Sequence, residues 1–309
     1  MGKTIRDAYG EALLEFGLND GRVVVLDADV SGSTKSATFG KQCPERFFNM
    51  GVAEANMVGV AAGMAAEGKI PFVNTFAVFL TSIGLIGARA FGSYSKLPIK
   101  FMGAYGGLSD SYDGPSHHSL EDIAVMRALP NFQVYVASDE WQTRWLTKNA
   151  IETDVPMYIR LSRNEVPTVY TENTKFETGK GHILREGSCV TIITCGIMVH
   201  ESMKAAEILS GKGISARVID MFCIKPLDRE LVLESARNTK LIVTAEEHNR
   251  YGGLGSAVAE VLAEEGVSTP QHFVAMADTH AETGAYAALM KKYSIDAEAI
   301  VASVIQGLK

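Results

Sequence analysis

Residues 22–30 read RVVVLDADV, a β-branched run with almost no alternation of apolar and polar side chains. This pattern is typical of a strand that helices cover on both faces, as in a parallel sheet. A helix is predicted before it at 3–17, where Ile5 and Leu13 share one face, and another after it at 54–67. The run therefore indicates an α/β protein in which strands and helices alternate.

The same alternation continues through both halves of the chain. In the first half, strands are predicted at 70–74, 98–103, 132–136 and 156–160, with helices at about 78–92, 120–128 and 139–151. In the second half, strands are predicted at 189–195, 214–220, 240–247 and 271–276, with helices at about 199–211, 228–237, 253–265, 283–292 and 296–307. This order predicts two doubly wound, mostly parallel-sheet domains.

A polar stretch at 163–181 interrupts the alternation and is typical of an interdomain linker. We therefore predict a first domain at 1–165, a linker at 166–185 and a second domain at 186–309. A length of 309 residues agrees with two domains of ordinary size.

The chain is acidic, with a net charge of −7. Nucleic acid is not expected as a partner, because no basic stripe is available to replace phosphate counterions. The uncharged segment 70–88 contains proline, glycine and polar residues and is too broken for a lipid-facing helix. The N-terminus, MGKTIRDAYG, lacks the apolar core of a secretory signal, and the four cysteines form no CxxC pair. We expect a cytoplasmic protein with no membrane partner.

One carboxylate, Glu54, begins the small-residue helix in FNMGVAEANMVGVAAGMA (48–65). An acid in the first turn of a helix is favoured by the helix dipole and needs no further function. The alternative is a carboxylate held in an apolar pocket, with raised proton affinity. The segment by itself leaves both interpretations open.

The segment NTFAVFL (74–80) contains two aromatic residues, Phe76 and Phe79, three positions apart. Aromatic pairs at helical spacing usually belong to the core. They could instead form a stacking wall for a planar cofactor, and the spacing does not decide between the two.

The loop AYGGLSDSYDGPSHHSLEDIA (104–124) follows a predicted strand, at the edge where open α/β sheets bind ligands. In this place Asp113 and His117 are candidate polar contacts for a substrate. A metal site is the alternative, with the candidate ligands Asp113, His117, His118, Glu121 and Asp122. Their spacing matches no standard metal motif, and the last two acids also fit the first turn of a helix capped by Ser119.

Two arginines, Arg160 and Arg163, stand at the end of the last strand predicted for the first sheet. An arginine there is as often an anion clamp as a solvated surface charge. In the second domain, YGGLGS (251–256) lacks the third glycine of a dinucleotide loop, so no nucleotide site is predicted.

Taken in order, several segments resemble transketolase over most of the chain. The segments that carry the resemblance are DADVSGS, FFNMGVAEANMVGVAAGMA, FVNTFAVF, YDGPSHH, RLSR, DMFCIKPLD and AEEHNRYGGLGSAVAE. The resemblance covers the carboxyl-terminal half of a full transketolase, which comprises a pyrimidine-binding domain and a C-terminal domain. The GDG…N motif, with which the other half binds the cofactor's diphosphate and metal, is not found in this sequence.

The resemblance implies the β, C-terminal subunit of a split transketolase that depends on thiamine diphosphate. Such an enzyme transfers a two-carbon ketol unit from a ketose phosphate to an aldose or its phosphate. Mg²⁺ or Ca²⁺ is then expected in an N-terminal partner subunit that carries GDG…N. Self-association in an α₂β₂ assembly is expected as well.

On the cofactor side, the resemblance assigns roles to four residues. Glu54 matches the glutamate that hydrogen-bonds a ring nitrogen of the aminopyrimidine. Phe79 matches the ring that stacks on the aminopyrimidine, with Phe76 beside it. Asp29 matches an acidic residue close to the thiazolium.

On the sugar side, Asp113 and His117 match the pair that binds the hydroxyls and oxygen of the donor. Ser33 and Arg163 match residues that hold the sugar phosphate. Glu54 and His117 are therefore the predicted catalytic residues, and the resemblance implies no metal ligand in this chain.

Two positions depart from the family pattern. Ser82 stands where a third aromatic residue is frequent, and Tyr105 stands where many members have a phosphate-binding histidine. An unusual donor, such as a branched or sulfonated ketose phosphate, therefore stays open. Further alternatives are a deoxyxylulose-phosphate synthase, a 2-oxoacid dehydrogenase β subunit and a non-catalytic binding subunit.

Overall fold

The computed structural model describes residues 3–309, so that Met1 and Gly2 of the predicted first domain lie outside the described residues. The helices and strands up to residue 160 are α1 (Ile5–Leu18), β1 (Val23–Asp27), α2 (Ser31–Thr34), α3 (Ala37–Gln42), β2 (Phe47–Asn49), α4 (Glu54–Ala66), β3 (Ile70–Phe76), α5 (Ala77–Ser82), α6 (Leu85–Gly87), β4 (Lys100–Ala104), α7 (Asp122–Ala128), β5 (Gln133–Val136), α8 (Glu140–Glu152) and β6 (Met157–Arg160). Those beyond it are β7 (His182–Arg185), β8 (Val190–Thr194), α9 (Met198–Ser210), β9 (Ala216–Asp220), β10 (Cys223–Lys225), α10 (Arg229–Asn238), β11 (Ile242–Asn249), α11 (Leu254–Glu264), β12 (Gln271–Met276), α12 (Tyr286–Lys292) and α13 (Ala297–Gly307).

The strands form two sheets. The first has the order β10-β5-β6-β4-β3-β1-β2 and is parallel except for β10, which pairs antiparallel with β5. The second has the order β12-β11-β8-β9-β7 and is parallel except for β7, which pairs antiparallel with β9. The prediction of two doubly wound, mostly parallel sheets is confirmed. None of the helices within residues 3–309 combines the length and apolar character that spanning a bilayer requires.

The first sheet is built around the run RVVVLDADV at 22–30. All five residues of β1 are buried, and β1 lies between β3 and β2. Helix α1 precedes it, with Thr4 as the N-cap whose side chain accepts a hydrogen bond from the backbone N–H of Asp7. The burial of every residue of β1 explains why the run shows no alternation.

Two short edge strands have no clear signal in the sequence. Strand β7 forms at the end of the segment predicted as a linker, and its residues are only partly buried or exposed. Strand β10 follows β9 of the second sheet along the chain but joins the first sheet beside β5. The two strands have only four and three residues, which is too short for a periodic pattern to develop. The limits of the two predicted domains stay a prediction.

The helix predicted at 78–92 is broken in the structure into α5, α6 and a π-helical turn over Ala88–Tyr94. Two glycines in this segment make close contacts. A Cβ atom on Gly87 would lie 2.6 Å from Cγ1 of Val58, and one on Gly84 would lie 2.6 Å from the backbone oxygen of Leu80. Glycine is therefore required where these segments meet.

Candidate active site

The candidate site lies where β1, β3, β4 and β6 of the first sheet reach their carboxyl ends. These strands are parallel and adjacent, so the residues that follow them meet at one edge of the sheet. Asp29, Tyr105 and Arg163 follow β1, β4 and β6, and Phe76 is the last residue of β3. Open α/β sheets bind their ligands at this edge.

The turn after β1 is fixed by a buried carboxylate, Asp27. One of its oxygens accepts the backbone N–H of Val30 at 2.7 Å. The other oxygen accepts the hydroxyls of Thr34 at 2.7 Å and Ser36 at 2.8 Å. Burial raises the pKa of Asp27, although these hydrogen bonds act in the opposite direction. Sequence reasoning missed Asp27, and the signal was an acid at a strand end followed by a Ser/Thr-rich stretch.

That turn presents two of the predicted site residues. Asp29 is exposed, has a left-handed backbone with φ of 66°, and accepts a hydrogen bond from Nδ2 of Asn49 at 2.7 Å. Ser33 is half-buried in α2, and its backbone oxygen accepts from Nη1 of Arg6 at 3.4 Å. Arg6 was not among the sequence candidates.

Glu54 is the first residue of α4 and is only 3% exposed. Its Oε1 accepts a hydrogen bond from the hydroxyl of Thr75, the residue before Phe76, at a distance of 3.4 Å. A carboxylate whose only role is to interact with the helix dipole can do so from solvent, where it keeps its hydration and pays no desolvation free energy. The structure instead places the Glu54 carboxylate out of solvent.

The rings of four residues cluster next to Thr75, the hydrogen-bond partner of Glu54. They belong to Phe76, Phe79, Tyr105 and His117. Phe76 stacks on Tyr105 with ring centroids 4.7 Å apart and planes 14° apart. The His117 ring meets Phe79 edge-on at 5.1 Å and Phe76 at 5.9 Å. Phe76 forms a small hydrophobic cluster with Tyr105 and its neighbours that is separate from the main cores. The two phenylalanines thus meet the predicted substrate histidine.

The loop after β4 brings Asp113 and His117 together with a third group, Asp110. One potential ligand atom from each of these three residues lies within 4.8 Å of the others. Asp113 is exposed and His117 is half-buried, whereas the side chain of Asp110 has no exposed surface. Sequence reasoning missed Asp110, because a lone aspartate in a polar loop carries no signal.

The set of five metal ligands considered from the sequence is not assembled. His118 is buried, and burial lowers its pKa. Glu121 is exposed, and Asp122 forms a buried ion pair with Arg160. The predicted cap is also wrong, because α7 begins at Asp122 with Glu121 as the N-cap and without a side-chain cap from Ser119.

The two arginines after β6 have different environments. Arg160 is 4% exposed, and its Nε lies 3.1 Å from Oδ2 of Asp122. It is therefore a structural ion pair and neither an anion clamp nor a surface charge. The side chain of Arg163 is 40% exposed, and its Nη1 donates to Oδ1 of Asp110 at 2.9 Å.

Two cations lie near the ring of Tyr105. The guanidinium carbons of Arg6 and Arg163 lie 5.4 Å and 5.1 Å from the centre of the Tyr105 ring. Nη1 of Arg6 also donates a hydrogen bond to the Tyr105 hydroxyl. Ser82, the other departure from the family pattern, is exposed on α5 and donates its hydroxyl to the backbone oxygen of Val78.

The second sheet holds the loop at 105–119 in place. Glu247 of β11 is 5% exposed, and its Oε1 accepts the backbone N–H of Leu108 at 2.9 Å. Nη2 of Arg160 donates to the backbone oxygens of Ser119 and Glu247, both at 2.8 Å. Sequence reasoning placed no site-supporting residue in the second half, so the role of Glu247 was missed.

Comparison with known proteins gives the family. Residues 1–169 match the family described as "Transketolase, pyrimidine binding domain", and residues 179–300 match "Transketolase, C-terminal domain". A "Putative transketolase C-terminal section" from Methanocaldococcus jannaschii is 41% identical over 309 residues, which cover 99% of this chain and 97% of that protein. The "6-deoxy-6-sulfo-D-fructose transketolase subunit SqwH" from a Clostridium species is 41% identical over 297 residues, covering 96% of this chain and 92% of that protein.

A solved structure described as "Split gene transketolase, inactive beta4 tetramer" is 48% identical to this chain. Its TM-score is 0.90, and the match covers 100% of this chain and 99% of that one. The resemblance found in the sequence is thereby confirmed, because both family domains occur in the expected order along one chain. The chain belongs to the transketolase family.

Proposed function

We propose that this chain is the β, C-terminal subunit of a thiamine-diphosphate-dependent transketolase. The enzyme transfers a two-carbon ketol unit from a ketose phosphate to an aldose or its phosphate. The match to both carboxyl-terminal family domains supports this proposal, and so does the near-complete coverage of relatives that are themselves a section or a subunit.

The observation that carries the proposal is the environment of Glu54. Among residues 3–309 its carboxylate is hydrogen-bonded by the Thr75 hydroxyl at 3.4 Å and is 3% exposed. A buried carboxylate with so little hydrogen bonding has capacity for a donor that a ligand brings. The protonated ring nitrogen of an aminopyrimidine is such a donor, so the residues present fit the pyrimidine end of the cofactor.

Bound thiamine diphosphate supplies the carbanion chemistry that breaks the bond between the second and third carbons of the ketose. With the cofactor bound, Glu54 would hold a proton at the aminopyrimidine ring nitrogen from a buried position. Phe79 would stack on the aminopyrimidine, with Phe76 beside it. Asp29, which is exposed on the turn after β1, would contribute its carboxylate near the thiazolium.

On the sugar side, Asp113 and His117 bind the hydroxyls and oxygen of the donor. His117 is suited to exchange a proton with a sugar hydroxyl because an imidazole ring carries one nitrogen that can donate and one that can accept. Ser33 and Arg163 hold the phosphate. We add Arg6 and Tyr105 to the residues near the phosphate. Arg6 hydrogen-bonds Ser33 and Tyr105, and the Tyr105 ring lies beside the guanidinium of Arg163.

The partner is the remaining part of the proposal. The diphosphate and its Mg²⁺ or Ca²⁺ require oxygen ligands, and the GDG…N motif that supplies them in the family is missing from this sequence. We assign these ligands to an N-terminal subunit in an α₂β₂ assembly. The 48% identical protein is described as inactive as a β₄ tetramer, which supports such a requirement.

A donor with a sulfonated end is the second candidate. Tyr105 stands at the position where the family pattern often has a phosphate-binding histidine. The 41% identical relative from Clostridium is named for 6-deoxy-6-sulfo-D-fructose. These two observations favour testing a sulfonated ketose beside the phosphorylated one.

Reconstitution tests the proposed function. The purified chain is mixed with a GDG-bearing partner polypeptide, thiamine diphosphate, Mg²⁺, a ketose phosphate and an aldose phosphate. We expect an acceptor lengthened by two carbons, and no product from the chain alone. In a parallel assay with a 2-oxoacid in place of the sugars, release of carbon dioxide together with no ketol transfer in the first assay would place the chain with the 2-oxoacid enzymes. Turnover without any partner would contradict the split-subunit proposal.

A further inference from the structure

Asp110 is a buried carboxylate that the proposed function does not use. Its side chain has no exposed surface, and its Oδ1 accepts from Nη1 of Arg163 at 2.9 Å. The side chain of Arg163, which forms this ion pair with Asp110, is 40% exposed, so the pair lies at the wall of the site. Because both atoms of the hydrogen bond are charged, the contact is strong and holds the guanidinium in one place.

The second oxygen of Asp110 has a different environment. Within residues 3–309 no group hydrogen-bonds to Oδ2, although the atom is buried. Asp110 is the innermost of the three residues whose polar atoms lie within 4.8 Å of one another, the others being Asp113 and His117. A buried acceptor without a hydrogen-bond donor lowers the stability of the fold. The chain nevertheless keeps this carboxylate next to Asp113 and His117, the two residues assigned to the sugar.

The carboxylate of Asp110 changes the electrostatic potential near Tyr105. Arg6 and Arg163 place two positive charges within about the same distance of the Tyr105 ring. Asp110 lies against one of them and cancels its charge, so the end assigned to the sugar phosphate has less positive potential than its two arginines would give. A phosphate group carries up to two negative charges near neutral pH.

The carboxylate is charged under ordinary assay conditions. Burial, and then the facing carboxylate of Asp113, raise the pKa of Asp110 to about 6. The neighbouring Arg163 and His117 act in the opposite direction. At pH 7.5 most of Asp110 is therefore ionised.

We propose that Asp110 is a specificity-determining residue that selects donors by the charge of their terminal group. By neutralising Arg163 it lowers the affinity of the site for a doubly charged phosphate, relative to a donor whose end is neutral or singly charged. This inference rests on the proposed transketolase function. It is a Coulomb effect, which is large between groups a few ångströms apart at the wall of a protein site.

The test is Asp110→Asn in the enzyme reconstituted with its partner, at pH 7.5 and low salt. Asparagine keeps the shape of the side chain and an oxygen that can accept from Arg163 while removing the charge. We expect the KM for a ketose phosphate to fall about tenfold, equivalent to about 1.4 kcal/mol. The KM for the same ketose without its phosphate should change less than twofold, and raising the salt concentration should shrink the difference.

A charge-balanced double variant is the matched control. Asp110→Asn combined with Arg163→Gln removes one negative and one positive charge, so the net charge of the site equals that of the wild type. We expect the tenfold fall in the KM for the ketose phosphate to be lost in this double variant, because that fall depends on the Arg163 guanidinium. The affinity for thiamine diphosphate should be the same in all of these enzymes, because Asp110 lies on the sugar side.

Two results would overturn the inference. If Asp110→Asn raises the KM of both ketoses equally, Asp110 only shapes the loop. If it raises the KM of the phosphorylated ketose alone, Asp110 positions Arg163 for phosphate instead of neutralising it. Failure of the proposed function is distinguishable, because the wild-type assembly would then transfer no ketol unit from either ketose.

Discussion

Glu54 and the loop at 105–119 lie at the same edge of the first sheet, yet the chain holds them in different ways. Glu54 begins α4, and its hydrogen-bond donor Thr75 belongs to β3, the next strand along the chain. The loop, in contrast, is contacted by Arg6 of α1, Arg163 after β6 and Glu247 of β11.

This difference teaches that the two sides of the site depend on different amounts of the molecule. The proposed cofactor side is formed by the turn after β1 and by α4, β3 and α5, which all lie within residues 28–82. The proposed sugar side requires the second sheet, because Glu247 pairs a backbone N–H of the loop that would otherwise be buried without a partner. Substitutions in the second half of the chain should therefore change sugar kinetics and leave cofactor binding unchanged.

The largest effect is expected for Glu54→Gln. Glutamine keeps the size of the side chain but cannot hold the proton that the proposed mechanism requires, so kcat should fall at least a thousandfold. Assembly with the partner, measured by light scattering, should be unchanged. The control is Glu67→Gln at the exposed end of the same helix, which should retain full activity. Wild-type turnover in Glu54→Gln would remove Glu54 from the mechanism.

The next effect concerns the sugar side. His117→Ala should lower kcat/KM for the donor by about a hundredfold, as expected for the loss of a positioned acid–base group. Calorimetry should find thiamine diphosphate affinity in the assembled enzyme nearly unchanged. If cofactor binding is lost while sugar kinetics persist, the two sides of the site have been assigned in reverse.

The charge of Glu247 should make stability depend on pH. Burial raises the pKa of Glu247 to about 7 from a usual value of 4.5, despite the neighbouring Arg160. Because the folded pKa is the higher one, stability from the protonated form is complete below the usual pKa and is lost as pH rises through 7. Between pH 5 and 7.5 the loss should reach roughly 2 kcal/mol. Denaturant unfolding of Glu247→Gln should show a flatter pH dependence, and an identical slope would contradict this account.

Glu247 also permits a comparison of two substitutions at one position. Glu247→Ala leaves the Leu108 N–H without its acceptor and should raise the donor KM about tenfold. Glu247→Gln keeps an oxygen that can accept this hydrogen bond, so its KM should stay within about threefold of the wild type. A tenfold loss of cofactor affinity in Glu247→Ala would show that the second sheet supports both sides equally.

The smallest effect is expected for Tyr105→Phe. The substitution keeps the ring that stacks on Phe76 but removes the hydroxyl that accepts from Arg6. Steady-state kinetics should show a donor KM raised about threefold to fivefold, since one hydrogen bond at a partly solvated site contributes about 1 kcal/mol. An unchanged KM would exclude the Tyr105 hydroxyl from sugar binding.

Much of the first sheet could be predicted because its information is local. The β-branched run at β1 and the small-residue helix α4 each carry a pattern within a few residues, and both are continuous elements of the structure. The breaks in the helix predicted at 78–92 were missed, because the close contacts of Gly84 with the Leu80 backbone and of Gly87 with Val58 arise only in the folded chain. The edge strand β10 was missed for a related reason, since its partner β5 lies far away in sequence.

The sequence by itself determined the two mostly parallel α/β sheets and the family. These features rest on periodicity and on motifs that are contiguous in the chain. Only the tertiary structure decided that Arg160 is a buried ion pair, that Asp110 lies against Arg163, and that Glu247 holds the loop. Each of these contacts joins single residues from separate elements. Such pairs leave no local pattern, because burial and distance arise only when the strands are placed side by side.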